Sequence, residues 1–421
     1  MKILWLNNLI LPEIAERMGI KPSQKEGWVL GAFNVCKNCR EIELGLCFPV
    51  DRAHAGFKEE IGGVRFYGFF EDTAHPENYD KAYESELRKI VEDFKPDVVH
   101  IFGTEFPHTL AMCRVMKEQP EKVLVGIQGI MHLYKDAYFD GLPKYVINRV
   151  TFRDFVRKDS LKTQQKKYAK RAQNELEAVS LAGNLTGRTD FDFCFANKYA
   201  PQAKYHFMNE TLRNPFYEDA WSLVDCETHS IFLSQGNYPI KGAHYMLEAV
   251  ANLQKKYEDI KLYIAGDNIT KHESLKEKLK LSSYGKYLLE LIKKYGLEEK
   301  VVFTGALSAE AMKERLLKSN VFICPSTIEN SPNSLGEAML LGVPCIAADV
   351  GGISSIFRND SDGIMYKSGD VQALCEAVEK MFEDSSFATQ CGTNASLHAR
   401  ATHNPNTNMD RLLEIYKEIC R

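Results

Sequence analysis

Short apolar runs alternate with longer amphipathic stretches along this chain, and the alternation occurs twice. Strand-like runs in the first half cover residues 3–6, 42–48, 98–102, 123–127 and 205–208, with helical periodicity at residues 27–36, 78–94 and 109–117. Those in the second half cover residues 231–233, 262–265, 301–304, 321–324 and 345–348. Continuous apolar runs between helices are typical of strands buried on both faces of a parallel sheet. The pattern predicts an α/β protein with two doubly wound, Rossmann-like domains.

The length and the boundary signal agree with two domains. A chain of 421 residues is longer than one hydrophobic core usually organises. The polar and aromatic stretch at residues 209–229 contains Pro215 and separates the two series. We therefore expect an N-terminal domain over residues 1–212 and a C-terminal domain over residues 213–421, closed by a helix at about residues 407–420. Because ligands of such sheets bind beyond the carboxyl ends of the strands, we expect a site in the cleft between the two domains.

Composition excludes several classes of protein. The net charge of −4 gives no general attraction to nucleic acid, so anion binding must be local. Eleven cysteines at irregular spacing favour reduced thiols, and Cys36-x-x-Cys39 lacks the second ligand pair of a zinc site. The first apolar run stops at Asn7-Asn8, and no run reaches the 18 or so apolar residues of a spanning helix. We expect a cytoplasmic protein.

Two glutamates flank a predicted helix start. Glu329 follows the apolar run at residues 321–324, and Glu337 lies eight residues further on. Ser331 is predicted as the N-cap and Pro332 as the first helical residue. Unpaired backbone N–H groups and the positive end of the helix dipole would favour a pyrophosphate there. Taken alone, the two residues are also compatible with a glutamate in a solvated loop and a glutamate on the surface of a helix, without a binding role.

These residues carry a resemblance to a known family. Glu329 and Glu337, together with Gly342-x-Pro344 and Gly351-Gly352, resemble the donor site of retaining glycosyltransferases of family 4, which have the GT-B fold. The segments at residues 97–103, 301–305 and 363–374 resemble further signatures of that family. The segments at residues 127–129 and 187–190 are similar to a branch found among bacterial surface-polysaccharide enzymes. The resemblance covers nearly the whole chain and is most specific in its C-terminal half.

The resemblance implies a nucleotide-sugar donor, with no cofactor and no metal. It implies that Glu329 contacts the donor sugar and that Glu337 contacts the ribose hydroxyls. The backbone near the helix start would face the pyrophosphate, and the loop after residues 301–304 would meet the base. The donor-binding residues implied in these two segments are Asn333, Ser334, Leu335, Gly305 and Leu307.

A second candidate phosphate-binding loop follows residues 231–233. It contains Gly236 and ends in Lys241-Gly242, where a cation near a helix start could neutralise a diphosphate leaving group. The loop lacks the Gly-Lys-Ser/Thr order of a P-loop. The family usually has an Arg just after this strand, and that Arg is absent here. Lys241 therefore carries more of the role, or Arg188 or Arg213 substitutes.

The acceptor side departs from the family pattern. Gly27 and Trp28 open the first long helix, with Glu26 in place of a second glycine. Gln128 or Gly129 stands where the family usually has a histidine; His132, further along, is a catalytic candidate or a structural hydrogen-bonding residue. Glu105 follows residues 98–102 and could orient an acceptor hydroxyl, although a glutamate on a loop surface is the plainer interpretation.

Two further features have competing interpretations. Asp190-Phe191-Asp192 is the DxD triplet of metal-dependent glycosyltransferases, but the triplet is common and no other oxygen ligands cluster near it in the sequence, so we expect no metal site. Residues 144–171 contain ten Lys or Arg, two acids and interleaved apolar residues. This segment is either a solvated helix surface or an element that faces anionic lipid.

Together these features predict a glycosyltransferase of the hexosyltransferase type. It would move a sugar from a nucleotide diphosphate sugar to a glycan or lipid-linked saccharide, with peripheral attachment to the inner face of the membrane, and the resemblance implies retention at the anomeric carbon. Two alternatives stay open: a nucleotide-sugar epimerase of related fold, and a catalytically silent partner in polysaccharide assembly. No G-x-G-x-x-G follows the first strand, which argues against an NAD enzyme.

Overall fold

The computed structural model describes residues 1–20 and 27–421, which form two compact units. Unit 1 comprises Met1–Lys135, Lys167–Leu212 and His403–Arg421, and unit 2 comprises Asp136–Lys166 and Arg213–Thr402. This division corrects the predicted domains, residues 1–212 and 213–421, in two segments. Asp136–Lys166 belongs to unit 2, and the last helix belongs to unit 1, because their buried side chains pack into those cores.

Unit 1 is built on an eight-stranded sheet of order β3-β4-β2-β1-β5-β6-β7-β8. Its strands are β1 (Lys2–Leu6), β2 (Glu43–Val50), β3 (Lys58–Ile61), β4 (Val64–Phe70), β5 (Val98–Phe102), β6 (Val123–Gly126), β7 (Asn184–Gly187) and β8 (Lys204–Phe207). All neighbouring strands are parallel except β3, which pairs antiparallel with β4. The five predicted strands are confirmed, whereas β3, β4 and β7 did not emerge from the sequence.

Helices cover both faces of this sheet. The helices up to β8 are α1 (Pro12–Arg17), α2 (Gly27–Cys36), α3 (Ala82–Phe94), α4 (Pro107–Val115), α5 (Met131–Ala137), α6 (Lys144–Asn148), α7 (Phe152–Arg157), α8 (Leu161–Leu181) and α9 (Asp190–Tyr199), of which α6 and α7 lie in unit 2. Successive side chains of β1 enter different cores: Ile3 and Trp5 pack in one, Leu4 and Leu6 in the other. This explains the continuous apolar runs that predicted the strands.

Unit 2 has a six-stranded parallel sheet of order β11-β10-β9-β12-β13-β14. Its strands are β9 (Glu227–Leu233), β10 (Lys261–Ile264), β11 (Val301–Phe303), β12 (Ser319–Cys324), β13 (Cys345–Ala348) and β14 (Gly363–Tyr366). The chain moves outward from β9 in one direction and from β12 in the other. The strand order therefore reverses between β9 and β12, and ligands of open α/β sheets bind at such a point, beyond the carboxyl ends of the strands.

The remaining helices connect these strands and close the chain. They are α10 (Ala243–Leu253), α11 (Leu275–Lys280), α12 (Ser283–Tyr295), α13 (Ala309–Leu317), α14 (Asn333–Leu341), α15 (Ile353–Ile356), α16 (Val371–Glu383), α17 (Ser385–Thr402) and α18 (Pro405–Ile419). The predicted final helix is confirmed as α18. Its Tyr416 hydroxyl lies 2.8 Å from Nε1 of Trp5 and 2.7 Å from Nδ1 of His100, which anchors α18 in unit 1. Within residues 1–20 and 27–421, no helix has the length and apolar character needed to cross a bilayer.

Candidate functional site

An ion pair lies where the strand order of unit 2 reverses. Lys241 ends a short 3-10 turn after β9, and Glu329 lies in the loop after β12. Nζ of Lys241 is 2.5 Å from Oε1 of Glu329, and the hydroxyl of Ser326 donates to the same oxygen at 2.7 Å. Glu329 is only 5% exposed. The two residues that sequence analysis ranked first for catalysis are therefore in direct contact.

A glycine makes this approach of the two loops possible. Gly242 has φ +69°, and a Cβ atom there would lie 1.8 Å from the carbonyl oxygen of Pro325. The amide of Thr327 donates to the carbonyl of Ile240 at 2.8 Å and holds the same loops together. A Cβ atom at Gly236 would lie 2.7 Å from Cγ2 of Ile264, so this position also requires close backbone packing.

The start of α14 lies beside these loops. The helix begins at Asn333 with Pro332 as N-cap, so the prediction of Ser331 as N-cap and Pro332 as the first helical residue is wrong by one position. Among the described residues, no side chain caps this helix end. The hydroxyl of Ser334 is 3.0 Å from that of Ser234, which follows β9. The uncapped start presents backbone amides and a positive dipole end to the point where the strand order reverses.

Glu337 lies in the second turn of α14 and is held by an arginine that precedes β9. Nε and Nη2 of Arg213 donate to the two carboxylate oxygens of Glu337, each at 2.6 Å. Burial raises the pKa of Glu337, and the ion pair with Arg213 opposes that shift. The guanidinium of Arg213 also lies 4.8 Å from the ring centroid of Phe216. Arg213 was one predicted anion ligand, and its pairing with Glu337 left no signal in the sequence because the two residues are 124 positions apart.

The predicted base-binding segment follows β11 at the same edge of the sheet. The amide of Gly266 donates to the carbonyl of Gly305 at 2.9 Å, and Gly305 has φ +77°. Leu307 follows in a half-buried position. All strands of this sheet run parallel, so the loops after β9, β11 and β12 emerge on one side of it.

Arg188 and Gln128 lie in unit 1, at the ends of β7 and β6. Arg188 forms an ion pair with Glu210, Nε2 of Gln128 donates to the same carboxylate, and Oε1 of Gln128 accepts from Arg188 at 3.4 Å. Together with His100 and Thr186, these three residues line a cavity of about 40 Å³. Arg188, which was predicted to bind the donor, lies in a buried polar network of unit 1, and its partner Glu210 carried no sequence signal.

The two remaining catalytic candidates are engaged in packing. Nε2 of His132 is 2.9 Å from the hydroxyl of Tyr199, which corresponds to the structural interpretation of this histidine. The Glu105 carboxylate packs so closely on Gly103 that a Cβ there would lie 2.6 Å from Oε2. Burial raises the pKa of Glu105.

A buried carboxylate in the same region was not predicted from the sequence. Glu175 on α8 is fully buried and accepts hydrogen bonds from the Thr104 hydroxyl at 2.5 Å and from the amides of Met131 and His132 at 3.1 and 2.8 Å. Burial raises the pKa of Glu175 to about 7. This carboxylate stabilises the start of α5 and the loop after β5.

The other acceptor-side prediction concerns the start of α2. Gly27 and Trp28 are the first two residues of α2, as predicted. Glu26 lies outside the described residues, and the side chain of Trp28 is not among those described.

The DxD triplet has a structural role in α9. Asp192 forms a capping box with Thr189, its carboxylate accepts from the Arg188 amide at 3.1 Å, and the Tyr205 hydroxyl donates to it at 2.5 Å. Over residues 1–20 and 27–421, no three His, Cys, Asp or Glu side chains are grouped as metal ligands.

Comparisons with known proteins support the two-domain interpretation. Sucrose-phosphate synthase from Thermosynechococcus elongatus has a similar structure, with a TM-score of 0.70 at 12% identity over 100% of this chain and 99% of that one. Anabaena HepE in complex with UDP and glucose has a TM-score of 0.66 at 17% identity over 98% of both chains. Both are glycosyltransferase structures with paired α/β domains. This chain has the GT-B fold.

A family model matches the second half of the chain. Residues 219–398 match the sequence model of the family Glycosyl transferases group 1. Alpha-D-kanosaminyltransferase of Streptomyces kanamyceticus is 26% identical over 179 residues, 42% of this chain and 43% of that protein. The alignment thus spans less than half of that relative's length. The region matched by the family model contains Lys241, Glu329, Glu337 and the base-side loop.

Proposed function

We propose that this GT-B protein is a glycosyltransferase of the hexosyltransferase type. It transfers a sugar from a nucleotide diphosphate sugar to an acceptor hydroxyl, with retention at the anomeric carbon and without a metal ion. The observation that carries the proposal is the contact of Lys241 with Glu329 at the reversal of strand order, beside the uncapped start of α14. A cation, a carboxylate and helix amides at one place suit a substrate that combines a diphosphate with a sugar.

The transfer breaks the bond between the anomeric carbon and the diphosphate oxygen. The acceptor hydroxyl oxygen forms the new glycosidic bond, and its proton leaves with the diphosphate. The transition state resembles an oxocarbenium ion, so stabilising the negative charge on the leaving group lowers the barrier most. Lys241 and the amides of Asn333 and Ser334 stabilise the departing diphosphate, and Glu329 holds the sugar hydroxyls.

The nucleoside is held further along the same edge of the sheet. Glu337 accepts hydrogen bonds from the ribose hydroxyls while Arg213 fixes its orientation, and the base lies against the loop of Gly305 and Leu307. We propose uridine as the base, supported by the structural similarity to HepE, whose structure contains UDP.

The acceptor in this proposal is a glycan or a lipid-linked saccharide, and the protein acts in the cytoplasm at the inner face of the membrane. Its role is the assembly of a surface polysaccharide. The basic segment at residues 144–171 motivates the membrane location, and the match to the glycosyltransferase family model supports the donor class.

The proposal is tested by incubating the full-length protein with a panel of UDP-sugars. One arm contains donor alone, and the other adds a lipid extract carrying diphosphate-linked saccharides. Acceptor-dependent release of UDP, retained in the presence of a chelator, supports the proposal. Conversion of the donor to another sugar without acceptor would indicate an epimerase, and loss of activity with chelator that manganese restores would overturn metal independence.

A further inference from the structure

Two short helices of unit 2 expose large apolar side chains next to each other. Phe152, Phe155 and Val156 on α7 and Leu275 and Leu279 on α11 are between 44% and 75% exposed. We call these five residues the α7–α11 face. An exposed group of this kind is uncommon on a soluble surface and marks a place of interaction.

Bases surround the α7–α11 face. A groove of about 550 Å³ between the two helices is lined by four of its apolar residues and by Arg153, Arg157, Lys276 and Lys280. Arg153 also contacts Asp154 and Asp159, at 3.1 and 3.2 Å, so it contributes less charge than the other three. The described lining of the groove contains no carboxylate.

The fold of this segment does not depend on the exposed residues. Val146 of α6 is fully buried, the amide of Ser283 donates to Asp154 at 2.9 Å, and Arg149 pairs with Glu290 at 2.9 Å. These contacts fix α6 and α7 against α12. Because folding is secured on the buried side, the apolar side chains of α7 are available for another partner.

The two helices are also held in shape locally. Thr151 and Asp154 form a capping box at the start of α7, and Ser274 and Glu277 form another at the start of α11. Each capping box satisfies two backbone amides that would otherwise need solvent. The face is therefore preorganised, and binding requires little ordering of the backbone.

We propose that the α7–α11 face docks on an anionic lipid bilayer, with its apolar side chains in the headgroup layer and its bases against lipid phosphates. Phenylalanine and leucine beside lysine and arginine are typical of elements that lie in the membrane interface. A second copy of the chain is a poorer occupant, because two such faces would bring their bases together. The acceptor part of this inference rests on the proposed function, whereas docking is measurable without any transfer.

Of the basic segment at residues 144–171 that the sequence indicated, this surface contains only the α7 part. In α8, Lys167 pairs with Glu77 at 3.2 Å and Arg171 donates to the carbonyl of Glu105 at 3.0 Å, so these bases serve unit 1. α11, which contributes two apolar residues and two bases, lies more than a hundred positions further along the chain. The docking surface is thus assembled by the fold from two distant segments.

A polar cleft extends from the face to the loop that precedes Lys241. Arg153 and Lys280 also line this cleft of about 540 Å³, together with Gln164, Asn237 and Asn268. Asn237 belongs to the loop after β9 that leads to Lys241. The amides and charged groups suit sugar hydroxyls, so a lipid-linked saccharide anchored at the face would extend its sugar toward the donor.

Vesicle co-sedimentation of the full-length protein tests the docking. Wild type should pellet with vesicles of phosphatidylglycerol and phosphatidylcholine at low salt, stay in solution with phosphatidylcholine alone, and be released at high salt. The variant Phe155→Asp/Leu275→Asp should partition at least about tenfold more weakly. Its matched control is Val224→Asp/Leu397→Asp, which alters two other exposed apolar residues of unit 2 and should bind like wild type.

A second pair of variants tests whether binding depends on the bases of the α7–α11 face or only on the net charge of the protein. Arg157→Glu/Lys276→Glu should weaken partitioning about tenfold or more, whereas Lys166→Glu/Lys170→Glu on α8 changes the net charge equally and should have little effect. Failure of wild type to bind anionic vesicles at low salt would overturn the inference. Equal weakening of vesicle binding in the face variants and the control variants would also overturn it. The same holds if sedimentation velocity shows that the face variants abolish self-association.

The same variants keep this inference separate from the proposed function. All of them should bind UDP like wild type, because none alters the residues at the start of α14. Vesicle binding without UDP binding would refute the proposed donor site and leave the docking surface intact. UDP binding without vesicle binding would refute the docking surface alone.

Discussion

Two carboxylates of the candidate donor site each meet one cation, but the two pairs differ in kind. One oxygen of Glu329 accepts hydrogen bonds from both Lys241 and the hydroxyl of Ser326, whereas both oxygens of Glu337 accept from Arg213. A lysine ammonium is a compact point charge on a flexible stem, and a guanidinium fork fixes the orientation of its partner. The first pair suits a group that must respond to substrate, and the second suits a fixed binding group.

Replacing Glu329 with glutamine should abolish most of the transfer while the fold survives. The amide fills the same space but cannot accept hydrogen bonds at both heteroatoms, so the sugar is held poorly at the transition state. We expect kcat to fall at least about 100-fold, with little change in UDP affinity. Steady-state kinetics with both substrates saturating measures this. Glu310→Gln on the exposed surface of α13 is the control, and wild-type turnover in Glu329→Gln would refute the assignment.

The Arg213 and Glu337 pair permits a double-mutant test of its role. Arg213→Met leaves a buried carboxylate without its cation and should lower the free energy of unfolding by about 3 kcal/mol or less, because the raised pKa of Glu337 allows it to take up a proton. The double variant Arg213→Met/Glu337→Met should recover much of that stability. UDP affinity should stay low in both variants. Recovery of UDP binding in the double variant would contradict the ribose role of Glu337.

Glu175 predicts how stability depends on pH. Its pKa is about 7 in the folded protein and about 4.3 in an unfolded chain, so the folded state binds the proton more tightly. Its contribution to stability is fully present below about pH 4 and is lost as the pH rises through about 7, a change on the order of 3 kcal/mol. Between about pH 4 and about pH 7, thermal unfolding should show a smaller loss of stability for Glu175→Gln than for wild type. Parallel pH profiles for the two proteins would show that another group is responsible.

At the scale of the element, the loop from β9 to α10 depends on its last glycine. Gly242→Ala places a methyl group against the carbonyl of Pro325 in a left-handed backbone conformation. The loop must shift, Lys241 then moves away from Glu329, and transfer should fall by at least about tenfold.

The control for this prediction is Gly296→Ala at the end of α12, where φ is +63° and no atom lies within 4 Å of the new methyl group. This variant should lose roughly 1 kcal/mol of stability from backbone strain and keep its transfer activity. Transfer assays and thermal unfolding of both variants decide the point. Equal activity in the two variants would show that the position of Lys241 is not critical.

Several of the strands that the sequence predicted are buried on both faces, whereas two of those that it did not predict are short and either polar or exposed. β1, β5 and β12 are continuous apolar runs because both of their faces are buried. β7 reads Asn-Leu-Thr-Gly, and β3 is half exposed at the edge of the sheet, so neither gives such a run. An apolar run in the sequence predicts a strand that is buried on both faces, but a short polar strand gives no such run and is not predicted.

The candidate site also contains residues that the sequence predicted and residues that it did not. Glu329, Lys241 and the helix start were predictable because each follows an apolar strand in a loop with turn residues, and β9 and β12 bring those loops together. The partners Ser326 and Arg213, and the network of Arg188 with Glu210, depend on which side chains meet in three dimensions. Sequence spacing carries no information about such contacts between distant positions.

At the scale of the whole molecule, the order of segments in the sequence did not predict which segment belongs to which unit. The chain passes from unit 1 to unit 2 and back before its main crossing at Leu212, and it returns to unit 1 at His403. In unit 2 the inserted segment provides α7 and completes the α7–α11 face. Recognition of a nucleotide sugar and attachment to a membrane are therefore proposed for the same unit, on two surfaces, and the polar cleft extends from one of them to the loop that precedes Lys241.

Isothermal titration calorimetry with UDP tests the central claim, a nucleotide-diphosphate site around Lys241 and the start of α14, most directly. Wild type should bind one UDP per chain, and Lys241→Met should bind it at least about tenfold more weakly, because a charge-assisted contact to the diphosphate is lost. Lys255→Met, which removes an exposed lysine of the same unit, should bind UDP like wild type. Absence of UDP binding by wild type, or equal affinity in wild type and Lys241→Met, would contradict the account.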